Sequence, residues 1–182
     1  MQPWKRYKPD EVIDLKWRRA VTKYFELPIG VRGDFLTIDC KADNAAAVAL
    51  TRDGKIIIAK QFRPGPERIM YELPGGGCEA GEAPETTAWR EFQEETGYTS
   101  NEPLIYLGKV VRDAYTTNDT HYYLLLDCHP AEVRVPNNDD RESIEIELHT
   151  MEEMIEYAKQ GLMSDPAAIS FARDKLTELE NT

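Results

Sequence analysis

The stretch GGCEAGEAPETTAWREFQEETGY, residues 76–98, decides the fold of this 182-residue chain. It opens with glycines, which have no side chain and therefore allow the backbone to bend sharply or to approach another group closely. A helix is predicted from Pro84 to about Thr96, because proline favours the first turn of a helix and Gly97 is a natural C-terminal stop. The stretch therefore predicts a glycine-rich loop followed by a helix.

The predicted helix carries several acidic side chains on one face. Glu91 and Glu95 are four residues apart and therefore stack on the same side of the helix, with Glu94 beside them. Clustered carboxylates repel one another, but their oxygens are the ligands that hard cations such as Mg²⁺ and Mn²⁺ prefer. From the helix alone, a divalent-metal site and a solvated acidic face both remain open.

The spacing of charged residues and glycines in residues 76–98 resembles the Nudix box. That pattern has a glycine, then Glu, then Arg-Glu, then Glu-Glu and a final glycine, each at a fixed spacing. The matching residues of this chain are Gly76, Glu82, Arg90, Glu91, Glu94, Glu95 and Gly97. Phe92 and Tyr98 stand where the family has an aliphatic residue, which concerns packing rather than chemistry. The resemblance implies an α+β Nudix fold, which is an α/β/α sandwich with a mixed sheet.

The resemblance extends beyond the box to one branch of the family. Residues 61–64, with the sequence QFRP, and residues 71–76, with the sequence YELPGG, are similar to the corresponding runs of ADP-ribose pyrophosphatases. In that branch, a small antiparallel β subdomain precedes the Nudix core and helps to form a dimer. The resemblance therefore implies an N-terminal dimerisation subdomain over residues 1–42, a Nudix hydrolase domain over residues 43–182, and a homodimer.

The implied activity is Mg²⁺-dependent hydrolysis of a nucleoside diphosphate that is linked to a second group, with Mn²⁺ as the alternative metal. ADP-ribose or a related nucleotide sugar is the leading substrate, and the products are a nucleoside monophosphate and a sugar phosphate. GDP-mannose, a dinucleotide, and a non-catalytic nucleotide-sensing role are the alternatives. ADP-ribose enzymes often carry a proline after the box, whereas residues 110–121 contain none, so the substrate stays open.

The match to the box also implies roles for individual residues. The implied metal ligands are the carbonyl of Gly75 and the carboxylates of Glu91, Glu94 and Glu95. Arg90 and Glu94 belong to the implied catalytic group, in which Arg90 orients the carboxylates. Glu82 is implied to hold the loop that precedes the helix.

The general base is implied to lie outside the box. In this branch it is usually a glutamate on a late loop, and the acidic run of residues 137–145 occupies that region. Glu142 is the first choice because it shortly precedes the strand predicted from Ile144, and Asp140 and Glu145 are the alternatives. An acidic loop is also commonly just solvated, so a structural interpretation stays open.

Further residues outside the box are candidates for contacts with the substrate. Arg63 is a candidate for binding phosphate or the terminal sugar, and Glu72 for binding substrate or metal, with structural roles as the alternatives. Tyr115 is a candidate for stacking on a base or sugar, with a buried position at a strand end as the alternative. Three aromatic residues are candidates for an adenine-binding wall or for core packing: Trp17, Tyr24 and Phe25.

Composition and charge restrict the class of partner. The net charge of −11 disfavours nucleic acid, because that binding depends on neutralising phosphates with Lys and Arg. No apolar run approaches the ~20 residues that a membrane helix needs, and the N-terminus lacks the apolar core of a secretion signal. The three cysteines form no CxxC pair, which favours a reducing compartment. We therefore predict a cytoplasmic enzyme for a small-molecule substrate, without nucleic-acid or membrane partners.

Hydrophobic periodicity outside the box predicts a mixture of strands and helices. A hairpin is predicted at Asp53-Gly54, and the last helix is predicted to start at Ser164-Asp165-Pro166, a cap followed by proline. The predicted strands are 24–27, 35–38, 45–50, 56–62, 70–73, 104–111, 122–126 and 144–148, and the later predicted helices are 151–160 and 167–180. Because these elements do not alternate regularly, they favour an α+β or layered α/β/α domain.

Overall fold

A computed structural model of the protein describes residues 1–16, 18–133, 135 and 143–181. The strands of the described residues are β1 (Lys5–Arg6), β2 (Glu11–Asp14), β3 (Arg18–Glu26), β4 (Arg32–Cys40), β5 (Asn44–Thr51), β6 (Ile56–Arg63), β7 (Arg68–Glu72), β8 (Gly75–Gly77), β9 (Tyr98–Thr99), β10 (Ile105–Val111), β11 (Asp119–Pro130) and β12 (Ile144–His149). The helices are α1 (Pro84–Thr96), α2 (Met151–Lys159) and α3 (Pro166–Glu180). Within the described ranges, none of the helices combines the length and apolar character that crossing a membrane requires.

The chain divides into two compact units. The N-terminal unit comprises residues 1–43 and 111–119, and the core unit comprises residues 44–110 and the described residues from Thr120 onward. In the N-terminal unit, β3 pairs antiparallel with β1, β2 and β4. The predicted small antiparallel sheet near the N-terminus is therefore confirmed.

The pairing of β3 with β4 organises the N-terminal unit. The two strands pair in continuous register along their whole length. The chain reverses between them at Gly30, whose φ of 81° lies in the left-handed region that favours glycine. Tyr24 and Phe25, on β3, each lie 6.0 Å from another aromatic ring of this unit, measured between ring centroids. Trp17, the third residue of the predicted aromatic wall, lies outside the described residues.

The core unit is built on a mixed sheet. Its strands follow the order β10-β11-β5-β6-β12, with β7 beside β6, β8 beside β5, and β9 beside β11. Strands β5 and β11 are parallel, whereas β6 is antiparallel to β5, β7 and β12. The predicted mixed sheet is therefore confirmed.

The alternation of side chains along β5 explains why helices cover both faces of this sheet. Val48 and Leu50 join a buried cluster that includes residues of α2 and α3. The intervening Ala47 and Ala49 join a separate buried cluster that includes Phe92 of α1. Helix α1 therefore packs on one face and helices α2 and α3 on the other, which is the predicted α/β/α sandwich.

Strands β8 and β11 differ from their predicted form. Residues 75–77 form strand β8, although consecutive glycines disfavour strands and predicted a loop. Glycine is needed at this point because a Cβ atom on Gly75 would lie 2.4 Å from the carbonyl oxygen of Ala45 on the paired strand β5. Strand β11 extends to Pro130, beyond the predicted end, through a register shift between Leu125 and Cys128.

Candidate active site

Helix α1 positions the acidic residues of the box. It has the predicted bounds, and Gly97 ends it in the left-handed conformation with a φ of 69°. The buried residues of this helix are Thr87, Ala88, Phe92, Glu95 and Thr96. Glu95 therefore belongs to the side that packs on the sheet, whereas Glu91 and Glu94 are half-buried beside it.

The glycines of β8 bring its backbone into contact with two of these carboxylates. A Cβ atom on Gly76 would lie 2.4 Å from Oε1 of Glu91, so the carboxylate occupies the space that any other side chain would need. The backbone N–H of Gly75 donates a hydrogen bond of 3.0 Å to Oε2 of Glu95. Glu91 and Glu95 therefore reach adjacent residues of the same strand.

Arg90 links the loop before the helix to the carboxylates on it. Its Nε and Nη2 donate to the two oxygens of Glu82 at 2.9 and 3.0 Å, which is a bidentate contact. Its Nη1 donates to Glu91 at 2.8 Å and to Glu94 at 3.2 Å. Glu82 also accepts from the backbone N–H of Glu79 at 2.9 Å, so one guanidinium and one carboxylate connect the loop with the helix.

The contacts of Arg90 change the protonation equilibria in this loop. Hydrogen bonding to Arg90 lowers the pKa of Glu82 to about 2, although burial acts in the opposite direction. The hydrogen bond from the backbone of Glu79 contributes to this lowering. Hydrogen bonding to Glu82 raises the pKa of Arg90 against the effect of its burial, so both groups are charged at neutral pH.

Replacement of Glu82 by glutamine is expected to remove a pH-dependent contribution to stability. The pKa of Glu82 is lower in the folded chain than its ordinary value of 4.5, so its carboxylate stabilises the fold above that pH. This contribution disappears as the pH falls toward about 2. Between about pH 6 and about pH 3, the wild type should lose about 2 kcal/mol more of its free energy of unfolding than Glu82→Gln.

Urea denaturation at a series of pH values measures this difference. Glu79→Gln is the matched control, because the Glu79 side chain is exposed on the same loop, and it should follow the wild-type curve. Parallel pH curves for the wild type and Glu82→Gln would contradict the prediction.

The residues predicted as metal ligands supply donor atoms of a suitable type. Among the described residues, no three acidic, histidine or cysteine side chains converge in the arrangement of a metal centre. Instead, Nη1 of Arg90 holds Glu91 and Glu94. The donors nevertheless fit Mg²⁺ or Mn²⁺, because carboxylate and carbonyl oxygens are hard ligands. The structure brings together Gly75, Glu91 and Glu95 at β8, and Arg90 links Glu94 to them.

Arg63 and Glu72, both predicted as substrate contacts, form an ion pair with each other. Nε of Arg63 donates to Oε2 of Glu72 at 2.6 Å, and the Arg63 side chain is 40% exposed. Ser164 contacts the other carboxylate oxygen of Glu72 at 3.3 Å. Ser164 was not predicted to lie near the site, because its position before a helix indicated only a cap.

The remaining predicted site residues lie in other places. Tyr115 belongs to the N-terminal unit and is 60% exposed, so the alternative of a buried strand-end tyrosine is wrong. Glu145, on β12, is paired with Lys60 at 3.2 Å. Glu142 and Asp140 lie outside the described residues.

Residues 41–169, well over half of the chain, match the family model of the NUDIX domain. The chain belongs to the Nudix family. The family membership that the sequence resemblance implied is therefore confirmed. Strand β8 and helix α1 of this Nudix protein lie within the matched range.

Similar members of the Nudix family include two ADP-ribose pyrophosphatases. The one from Bacillus subtilis is 56% identical over 55 residues, which cover 30% of this chain and 30% of that protein. The one from Saccharomyces cerevisiae is 36% identical over 132 residues, which cover 63% of this chain and 54% of that protein. The matched parts therefore span 30% and 54% of the length of these relatives.

A solved structure shares the fold of the whole Nudix chain. It is described as the crystal structure of an ADP compounds hydrolase, and it matches with a TM-score of 0.80 at 17% identity. The match covers 100% of this chain and 98% of that one. The predicted α+β Nudix fold is therefore confirmed.

Proposed function

We propose that this Nudix protein is a Mg²⁺-dependent hydrolase that cleaves ADP-ribose or a related nucleotide sugar to a nucleoside monophosphate and a sugar phosphate. One observation carries the proposal: the carboxylates of Glu91 and Glu95 lie against the glycine backbone of β8, with Arg90 beside them. The two similar ADP-ribose pyrophosphatases support the substrate class. GDP-mannose, a dinucleotide and a non-catalytic sensing role remain the alternatives.

The proposed metal ligands are the carbonyl of Gly75 and the carboxylates of Glu91, Glu94 and Glu95. A bound divalent cation would neutralise charge on the diphosphate and lower the pKa of a water molecule. Arg90 keeps Glu91 and Glu94 in fixed orientations, because one guanidinium nitrogen donates to both. These contacts restrict the orientations from which Glu91 and Glu94 would converge on a bound cation.

Arg63 is proposed to bind the diphosphate or the terminal sugar. Its Nε is held by Glu72, while its side chain is 40% exposed, so the other guanidinium N–H groups are available to a ligand. A guanidinium suits this role because it can donate two parallel hydrogen bonds to phosphate oxygens. Glu72 is proposed to orient Arg63, and Tyr115 remains a proposed stacking residue because its ring is exposed.

Glu142 remains the proposed general base because of the family resemblance. Of the alternatives, Asp140 lies outside the described residues as well, whereas Glu145 is described. The Glu145 side chain is 74% exposed and its carboxylate is paired with Lys60. A carboxylate that is engaged by a lysine is less available to take a proton from water, which supports Glu142 as the first choice.

A homodimer formed through the N-terminal subdomain, residues 1–42, is proposed as well. Strands of the N-terminal unit expose large apolar side chains to water, and such surfaces commonly mark sites of association. The most exposed of those on β2 and β4 are Val12 at 54%, Ile13 at 67% and Leu36 at 59%. The cytoplasmic location stays a prediction.

Incubation of the protein with Mg²⁺ and a panel of ADP-ribose, GDP-mannose and NADH is expected to release AMP fastest from ADP-ribose. Anion-exchange chromatography separates the products, and EDTA should abolish the release because, without the cation, the negative carboxylates would face a diphosphate of the same charge. Faster hydrolysis of GDP-mannose or NADH would transfer the proposal to that alternative. Binding of ADP-ribose in calorimetry, without hydrolysis of any member of the panel, would replace the enzyme by a sensing domain.

A further inference from the structure

A chain of polar side chains extends from Arg63 to the start of helix α3. Arg63 donates to Oε2 of Glu72 at 2.6 Å, and Ser164 Oγ lies 3.3 Å from the other oxygen of that carboxylate. Ser164 also contacts one carboxylate oxygen of Asp165, and the other oxygen accepts from the Tyr122 hydroxyl at 2.5 Å. These five residues, called the polar chain below, all belong to the core unit.

The polar chain runs from buried to exposed side chains. Glu72 is 8% exposed and Tyr122 is 3% exposed, so water reaches these two side chains poorly, whereas Asp165 is half-buried and Ser164 is exposed. A buried carboxylate is stable when its oxygens accept hydrogen bonds. Glu72 accepts from Arg63 on one oxygen and contacts Ser164 with the other, which fixes the rotation of its carboxylate plane.

The side chain of Asp165 serves the polar chain rather than helix α3. Asp165 occupies the N-cap position, where aspartate ordinarily accepts a hydrogen bond from a backbone N–H of the first turn. Its side chain makes no such capping bond, and its oxygens contact Ser164 and Tyr122 instead. The predicted helix entry, a cap followed by proline, is therefore confirmed with Asp165 at the N-cap and Pro166 after it, although the Asp165 side chain makes no capping bond.

Glu72 and Tyr122 of the polar chain lie close to Gly75, a proposed metal ligand on strand β8. Glu72 ends strand β7, and Gly75 begins strand β8 three residues later. Tyr122 is paired with Ala46 of β5, and Ala46 is paired with Gly75. Tyr122, at one end of the polar chain, therefore lies in the same row of paired residues as Gly75.

We propose that Ser164 and Asp165 are positioning residues that fix Glu72 and thereby direct Arg63 toward the diphosphate of the substrate. This inference rests on the proposed function. Ser164 has one hydroxyl proton between two carboxylates, and the positive charge of Arg63 offsets the charge of Glu72. Without the hydroxyl, the Glu72 carboxylate is free to rotate, and the Arg63 guanidinium rotates with it.

Ser164→Ala is expected to raise the KM for ADP-ribose about 3- to 10-fold and to leave kcat within about twofold of the wild type. We expect KM rather than kcat to change, because Arg63 is proposed to bind the diphosphate equally in the ground state and in the transition state. Ser164→Thr keeps the hydroxyl and should restore KM toward the wild-type value. Ser170→Ala is the matched control, because Ser170 is also exposed and lies on helix α3, which Ser164 shortly precedes. Equal KM values for Ser164→Ala and Ser170→Ala would overturn the proposal.

A double-mutant cycle tests whether Ser164 acts through Arg63. In an Arg63→Ala background, Ser164→Ala should change KM by less than about twofold, since the residue that it positions is gone. Full additivity of the two effects would show that Ser164 acts independently of Arg63 and would overturn the proposal.

The Nε–H signal of Arg63 in nitrogen-15 NMR gives a measurement that does not depend on catalysis. The hydrogen bond to Glu72 should protect this proton from solvent exchange in the wild type, and Ser164→Ala should speed the exchange about threefold or more. Unchanged exchange would overturn the positioning role whether or not any nucleotide sugar is hydrolysed. Faster exchange in the variant, together with an inactive wild type, would support the positioning of Arg63 and count against the proposed function alone.

Discussion

Replacement of Glu95 by glutamine is expected to lower the turnover of ADP-ribose on the order of 10³-fold and to leave the fold intact. Glutamine has the same size, and its amide oxygen can still accept the hydrogen bond that Gly75 donates to Glu95 at 3.0 Å. The substitution removes a negative charge from a side chain that is 5% exposed. A divalent cation thereby loses a charged ligand, and the diphosphate loses the stabilisation that the cation would supply.

The measurement combines kcat, Mn²⁺ affinity from electron paramagnetic resonance, and the melting temperature. Both kcat and Mn²⁺ affinity should fall, while the melting temperature should stay within about 3 °C of the wild type. Glu85→Gln is the matched control, because Glu85 is exposed in the first turn of the same helix. Wild-type turnover in Glu95→Gln would refute the role of Glu95 as a metal ligand and, with it, the proposed metal-dependent reaction.

Alanine at Gly75 and alanine at Gly76 are expected to damage different properties of the protein. A Cβ atom on Gly75 would lie 2.4 Å from the carbonyl oxygen of Ala45 and 2.7 Å from Cα of Ala46, and this backbone cannot move without separating β8 from β5. Gly75→Ala should therefore lower the free energy of unfolding by about 3 kcal/mol, and the melting temperature by about 6–12 °C.

Gly76→Ala should instead preserve most of the stability and reduce activity. The new Cβ atom would meet the end of a flexible side chain, the carboxylate of Glu91, at 2.4 Å. Displacement of that carboxylate should cost about 1 kcal/mol of stability and lower kcat roughly 100-fold. Calorimetry and steady-state kinetics on both variants separate the two effects.

Gly65→Ala is the control for both substitutions, because a Cβ atom at Gly65 would meet no heavy atom within 4 Å. It should match the wild type in stability and in kcat. If Gly75→Ala were as stable as Gly65→Ala, the close pairing of β8 with β5 would be contradicted. If Gly76→Ala kept full activity, Glu91 would not act from its observed position.

Local sequence signals were sufficient to predict helix α1 and the central strands. Pro84 and Gly97 set the two ends of the helix, and both signals act within one helical turn. The hairpin at Asp53-Gly54 was predicted for the same reason, since its turn type follows from adjacent residues. Contacts between distant segments carry no comparable local signal.

Strand β8 and the polar chain show what local signals cannot provide. The glycines of β8 have a low strand propensity, but pairing with β5, some 30 residues earlier, overrides it. Ser164 contacts Glu72 across 92 positions of sequence, and its local pattern predicted a helix cap. The partnership of Arg90 with Glu82 was predictable in part, because Glu82 stands just before helix α1, Arg90 lies on that helix, and the two carry opposite charges.

The alanines of β5 determine how closely helix α1 approaches the sheet at the candidate active site. Ala47 and Ala49 are fully buried on the face that α1 covers, and their methyl groups allow the helix to lie close to the sheet. A larger side chain at either position would lift α1, and the carboxylates of Glu91 and Glu95 would rise with it from the backbone of β8. The volume of these two methyl groups thus fixes the distance between helix α1 and strand β8. The positions of the Glu91 and Glu95 carboxylates depend on that distance.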